Sequence, residues 1–386
     1  MSHFSGLGVA FNAVISLLLV GGLMYSIHLA SVSYQRSGRI QFRSTLEEVS
    51  RCYQDGSIVK PISLVNTSFF EVPTGTGKTG AGKEFKERVD VLQVVAVVDS
   101  VVEANVGQVV HLSHSPAFVH VVVTPDVKAC SRMRRKFSHV RCFHDNEVFN
   151  QTITLRDINK SINSVGPVAR KKGGAWYFQQ MLKLGAVALG IGGLGEYVRV
   201  MDGEVVQIRD MQWYTENGGE VFETCASEIN EANGPVEEPY NDYNDIHYGA
   251  LWTRLTHMPL AHDHSLIAHL MSMRQSRVRS LLTKLSPNDE GWETNNWVTN
   301  ILIHICDPVA ELGFSEYWYY ASYILLDEEM RSQAQPLIRS EAYHCSRPKR
   351  DDATAAIASA QLACHLMRIF PRSSYVVLEN HKSREK

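Results

Sequence analysis

Between Asp90 and Phe143, short apolar and β-branched runs alternate with mixed stretches of helical period. VLQVVAVVDS (Val91 to Ser100) is apolar along almost its whole length, which suits a strand covered on both faces. Residues 103–112 read as a helix and FVHVVVTPD (Phe118 to Asp126) as a second strand. The basic stretch with Arg132, Arg134, Arg135 and Lys136 reads as a second helix, and Val140 to Phe143 as a third strand. Strand–helix–strand order at this spacing predicts a parallel sheet with right-handed crossovers. Ligands of such sheets sit outside the carboxyl ends of the strands, where Asp99, Pro125 and Asp126 fall. Further along, WYFQQMLKLGAVAL (Trp176 to Leu189) has the apolar spacing of a helix, and EYVRVMDGEVVQI (Glu196 to Ile208) is extended. Towards the end of the chain, Asp351 or Asp352 can cap an Ala-rich helix that Pro371 stops, and SYVVLENHK (Ser374 to Lys382) is again extended.

The N-terminal pattern is of another kind. No Lys, Arg, Asp or Glu occurs from Met1 to Gln35, and Leu7 to Val32 is an apolar run of about 26 residues. At ~1.5 Å per residue such a helix spans a ~30 Å hydrocarbon core. A single-pass membrane anchor is the expectation, with a cleaved signal peptide or a buried helix as the other readings. The lack of a basic segment before the run speaks against a signal peptide. Arg36, Arg39 and Arg43 follow the run and pull that side towards the cytosol. Three glycosylation sequons, at Asn66, Asn150 and Asn159, argue for a lumenal body, as in a type II protein of the Golgi or endoplasmic reticulum. The chain thus divides into an anchor (1–35), a stem of linker composition (36–88) and a catalytic-size body (89–386).

Two glycine motifs resemble phosphate loops. VPTGTGKT (Val72 to Thr79) has valine where the strict phosphate-loop pattern has glycine, and Gly80-Ala81-Gly82 makes a poor first helical turn after it. A membrane-tethered NTPase using Lys78 is therefore only an alternative. GIGGLG (Gly190 to Gly195) satisfies the dinucleotide fingerprint in letters, but its order is helix, glycines, strand. That order predicts a helix C-terminus capped by glycine and no dinucleotide site.

Composition narrows the classes. With 44% hydrophobic and 20% charged residues in 386, a large core can be buried and disorder is excluded. Lys plus Arg is 38 against Asp plus Glu 41, so nothing pulls the chain as a whole towards nucleic acid, and any anion must be held locally. The seven cysteines contain no CxxC pair, which leaves zinc ribbons and thioredoxin chemistry without support.

The residues with chemistry gather after the long helix. The strand from Tyr197 runs into Asp202-Gly203-Glu204, two carboxylates at i and i+2 beyond a buried strand. Hard oxygen ligands in that position suit Mg²⁺ or Mn²⁺ bound together with phosphate oxygens. A two-residue hairpin turn is the competing reading of Asp-Gly. MPLAHDHSLIAHLMSM holds His262, His264 and His269, with His257 just upstream, but no cysteine partners or HEXXH accompany them.

The helix Gly173 to Leu184 with Trp176, Tyr177, Gln179, Gln180, Lys183 and Leu184, the strand ending in Asp202-Gly203-Glu204, and Phe314-Ser315-Glu316-Tyr317 together resemble a little-characterised family of GT-A-type nucleotide-sugar glycosyltransferases. The resemblance covers about residues 90–386, and departs from the family pattern in Ala175 before the tryptophan and in Glu204 as the second acid. It implies an α/β, GT-A-like (Rossmann-like) mostly parallel sheet flanked by helices. It further implies a nucleotide-sugar donor, a glycan, lipid or protein acceptor, and a Mn²⁺ or Mg²⁺ cofactor. Asp202 and Glu204 would ligate the metal with a histidine near the C-terminus, for which His381 is the candidate and His344 the rival. Asp99, Trp176, Gln179, Gln180, Lys183 and His269 would line the donor site, and Glu316 would handle the acceptor hydroxyl or the donor sugar. A non-catalytic sugar-nucleotide-binding module is the further alternative, with Glu204 as its telling defect.

Overall fold

The computed structural model describes residues 87–98, 100–112, 118–165, 173–207, 211, 213–222, 229–230, 234–235, 243–259, 269–287, 291–305, 313–327, 345–346 and 375–377. The apolar N-terminal run, the stem up to residue 86, Lys78, Asp99, His262, His264, His344, the Ala-rich helix and His381 lie outside these residues. Among the described residues, no helix is long and apolar enough to cross a membrane.

The body begins with β1 (Val89–Val94), α1 (Ser100–Leu112), β2 (His120–Thr124), α2 (Val127–Lys136) and β3 (Val140–His144). Two helices follow, α3 (Asp145–Val148) and α4 (Leu155–Val165), then the long α5 (Gly173–Leu189), β4 (Tyr197–Asp202) and β5 (Val205–Gln207). After α6 (Tyr243–Thr256) come β6 (Leu270–Arg274), α7 (Gln275–Leu285), α8 (Asn296–His304) and α9 (Glu316–Leu326). Two short strands, β7 (Cys345–Ser346) and β8 (Tyr375–Val377), complete the description.

The main sheet has the order β3-β2-β1-β4-β6. All its neighbours are parallel except β6, which runs antiparallel along β4. From β1 the chain builds outward to β2 and β3, then returns to place β4 on the other side of β1. The sheet order therefore reverses between β1 and β4, and ligands of such sheets bind outside the carboxyl ends of the strands at that point. Leu92, Val94, Val121, Val123, Val198, Val200, Met271 and Met273 fill one face together with α5, α7 and α9, while Val91, Val122, Met201 and Leu270 fill the other. Each such fully buried aliphatic side chain contributes roughly 1.5–3 kcal/mol. Continuous apolar runs are thus covered on both sides, as their pattern predicts.

Several boundaries differ from the sequence reading. β1 stops at Val94 although the apolar run continues, because the chain turns outward there and leaves Val97 66% exposed. Asp126, at the end of β2, accepts a hydrogen bond from the Ala129 amide at 2.9 Å and caps α2. Gly190 ends α5 in the left-handed region at φ 64°, and the glycines are a helix stop followed by β4. The hairpin reading of Asp202-Gly203-Glu204 is corrected. β5 does not fold back on β4; it leaves the main sheet and pairs antiparallel with β8 in a second, three-stranded sheet. Gly203 is the pivot, and a Cβ there would stand 2.5 Å from Val95 Cγ1.

Candidate active site

Charged side chains from several elements gather at the carboxyl ends of β1 and β4. Asp202 is the last residue of β4 and lies in register with Val94 of β1. Glu204 follows across Gly203. His269 precedes β6, with its carbonyl accepting from the Asp202 amide at 2.8 Å, so the antiparallel strand sets it opposite Asp202. Its backbone is left-handed at φ 60°, a sparsely populated conformation for a histidine. Asp202, Glu204 and His269 each offer a ligand atom, and the three atoms lie within 4.8 Å of one another. His269 Nδ1 is 3.0 Å from Asp202 Oδ2 and 3.5 Å from Glu204 Oε1.

Beneath this trio runs a second layer of charge. Lys183, from the middle of α5, is 1% exposed; it donates to Asp202 Oδ1 and to Glu316 Oε1, the latter at 2.5 Å. Glu316 is the first residue of α9, is fully buried, and follows the capping residue Ser315, which accepts from the Trp318 amide. A helix N-terminus favours a carboxylate at that place. With its amide oriented to donate, Gln180 lies 3.0 Å from Glu316 Oε1. Gln179 instead donates to the Val94 carbonyl at 2.9 Å and ties α5 to the end of β1. Tyr317 closes the layer. Its hydroxyl donates to Asp202 Oδ1 at 3.1 Å, and its ring lies 4.5 Å from Lys183 Nζ.

Burial works against the charge of Lys183, but the two carboxylates outweigh it and hold the ammonium above its ordinary value. Burial also pushes Asp202 upward, yet Lys183 and the His269 hydrogen bond prevail and keep it well below the usual carboxylate range. Glu316 moves the other way. Burial raises it, Lys183 only partly opposes this, and Asp202 adds to the rise. Burial, Asp202 and Glu316 hold the Tyr317 phenol well above its ordinary value, so it stays a donor.

The donor set fits a hard divalent cation: two carboxylates and one imidazole, all half-buried, at the end of β4. With all its acids ionised, the site places three carboxylates against one ammonium, a surplus of two negative charges. A dication would balance them, although Glu204, 38% exposed, also faces solvent.

The sequence-predicted residues Gln179, Gln180, Lys183, Asp202, Glu204, His269 and Glu316 come together here. Trp176 does not join them; half-buried, it packs edge-on against Tyr177 with ring centroids 5.0 Å apart. His269 takes the third corner among the described residues; His381, the sequence's candidate ligand, lies outside them. Tyr317 was missed as a functional residue, although its position beside Glu316 in an aromatic run was the available signal. Tyr317→Phe is expected to cost about 1 kcal/mol of stability through the lost hydrogen bond. It is also expected to weaken divalent-cation binding about 10-fold, the usual effect of removing a group that orients a ligand. Calorimetric titration with Mn²⁺ reads the second effect.

No family model matches the chain, and no curated protein matches it in sequence. Among solved structures it is similar to the galactosyltransferase LgtC in complex with donor and acceptor sugar analogs, at a TM-score of 0.37 and 10% identity, over 76% of this chain and 87% of that one. Mouse xyloside xylosyltransferase 1 gives 0.35 and 8% over 77% and 99%. A mannosyltransferase from Pyrobaculum calidifontis, in complex with GDP-Man and Mn²⁺, gives 0.24 and 12% over 86% and 82%. At these scores nothing about activity carries over from them.

Proposed function

We propose that this protein is a metal-dependent glycosyltransferase of GT-A type that moves a sugar from a nucleoside diphosphate to an acceptor hydroxyl. The observation that supports it best is the Asp202–Glu204–His269 set, at the carboxyl end of β4 and beside the point where the sheet order reverses. In this reading Asp202, Glu204 and His269 hold Mn²⁺ or Mg²⁺, which supplies Lewis acidity to a departing diphosphate. Lys183 keeps Asp202 ionised and oriented, and Tyr317 fixes the same oxygen. Because its ammonium is committed to two carboxylates, Lys183 serves the site from below. Glu316, fully buried and held by Lys183 and Gln180, anchors α9 to this layer. The membrane anchor at the N-terminus belongs to the same proposal.

The test is a panel of nucleotide sugars incubated with the full chain and Mn²⁺, with release of the nucleoside diphosphate as readout. Slow donor hydrolysis that depends on the metal and is lost in Asp202→Asn is the expected result. The NTPase alternative predicts the reverse pattern, with nucleotide turnover lost in Lys78→Ala and retained in Asp202→Asn. Binding of a nucleotide sugar with no turnover on any acceptor would favour the non-catalytic module.

A further inference from the structure

Two features that the transfer site does not use, a cystine and an exposed sequon, point to one compartment. Cys130 on α2 and Cys142 on β3 are joined by a disulfide, with their Cα atoms 5.3 Å apart. Both are buried in the apolar layer between α2 and the sheet, against Val122, Met133 and Val140. Protein disulfides persist in oxidising compartments and are rare in the cytosol. The bond forms as two thiols pass two electrons and two protons to a disulfide-bearing oxidoreductase of such a compartment.

The sequon is Asn150-Gln151-Thr152. Asn150 and Gln151 are exposed in the turn after α3, and both have left-handed backbones, at φ 48° and 61°. Asparagine tolerates that region better than most residues. The Gln151 amide donates to the Asn146 carbonyl at 2.9 Å, and the Thr152 amide and hydroxyl donate to the Phe149 carbonyl at 2.9 and 2.5 Å. None of these bonds uses the Asn150 side chain, so a glycan there leaves the turn and the core beneath it unchanged. The other described sequon is built differently. Asn159 is also exposed, but it sits within the helix α4 and its side chain lies close to Gly174, where α4 meets α5.

We propose that Asn150 is an N-glycosylation acceptor on a body that lies in the lumen or outside the cell, with Cys130 and Cys142 oxidised. In the modification, Asn150 Nδ2 attacks the anomeric carbon of a saccharide carried on a polyprenyl diphosphate. The C–N bond forms as the C–O bond to the diphosphate breaks, an amide proton passes to a base of the transferring enzyme, and the lipid diphosphate leaves. Arg36, Arg39 and Arg43 then lie on the same side as the body. This assignment is independent of the transfer chemistry proposed above.

The test uses the full wild-type chain made in a eukaryotic secretory host, with free thiols alkylated before lysis. Peptides are treated with peptide N-glycosidase in heavy-oxygen water. The Asn150 peptide is expected to convert to an aspartate peptide carrying the heavy oxygen, while the Asn159 peptide does not. Cys130 and Cys142 are expected in linked peptides that separate only on reduction. Asn150→Gln is expected to remove one glycosidase-sensitive step in gel mobility. An unmodified Asn150, or alkylated Cys130 and Cys142, would overturn the proposal. The readout on the wild-type chain does not depend on how well the variant folds.

Discussion

Lys183→Met is expected to destabilise the protein by about 3–5 kcal/mol, the usual cost of stripping a buried charge pair of one partner. The substitution keeps the length and bulk of the side chain and removes only the ammonium. Asp202 and Glu316 are then left without their shared cation, with Glu316 fully buried and Gln180 its remaining side-chain donor. Adding Glu316→Gln should return part of the loss, because the second carboxylate no longer needs a counter-charge. Denaturant unfolding of the single and double variants measures both effects. A loss under about 1 kcal/mol in the single variant would mean that the ammonium is solvated rather than enclosed between the two acids.

The second large effect falls on turnover. Glu316→Gln should leave donor binding nearly intact and lower transfer about 10–100-fold, the usual weight of a partner behind a ligand, because Glu316 reaches Asp202 only through Lys183. The neutral amide retains an acceptor oxygen for Lys183 but cannot carry charge or take a proton. Glu316 is fully buried, so its carboxylate is not a solvated surface acid. The split between kcat and KM separates the remaining roles. A fall in kcat alone marks a group felt in the transition state, and a rise in KM alone marks one that only helps to bind.

Much of this site was legible along the chain because its parts are local. The α5 helix shows its 3.6-residue period and its glycine stop in the letters. A carboxylate after an apolar strand likewise needs no tertiary knowledge to be singled out. The rest depends on pairing between distant segments. LMSMR (Leu270 to Arg274) has no strong period, and only its antiparallel ladder with β4 reveals that His269 stands opposite Asp202. The departure of β5 is similar. Asp-Gly satisfies a hairpin turn locally, but Gly203 closes against Val95 and β5 finds its partner in Tyr375–Val377, far along the chain. Tyr317 escaped because an aromatic residue in an apolar run looks like core, and its hydroxyl declares a role only once Asp202 lies 3.1 Å away.

The central claim is that Asp202, Glu204 and His269 hold a divalent cation that carries a diphosphate. Calorimetric titration of the protein with a panel of nucleoside diphosphates, with and without Mn²⁺, tests it most directly, with Asp202→Asn run alongside. The account predicts that at least one diphosphate binds only with Mn²⁺ present. At a concentration of about 100 times its Kd that ligand should stabilise the fold by ~2.7 kcal/mol, and Asp202→Asn should lose both the binding and the stabilisation. Diphosphate binding that ignores the metal, or that survives unchanged in Asp202→Asn, would contradict it.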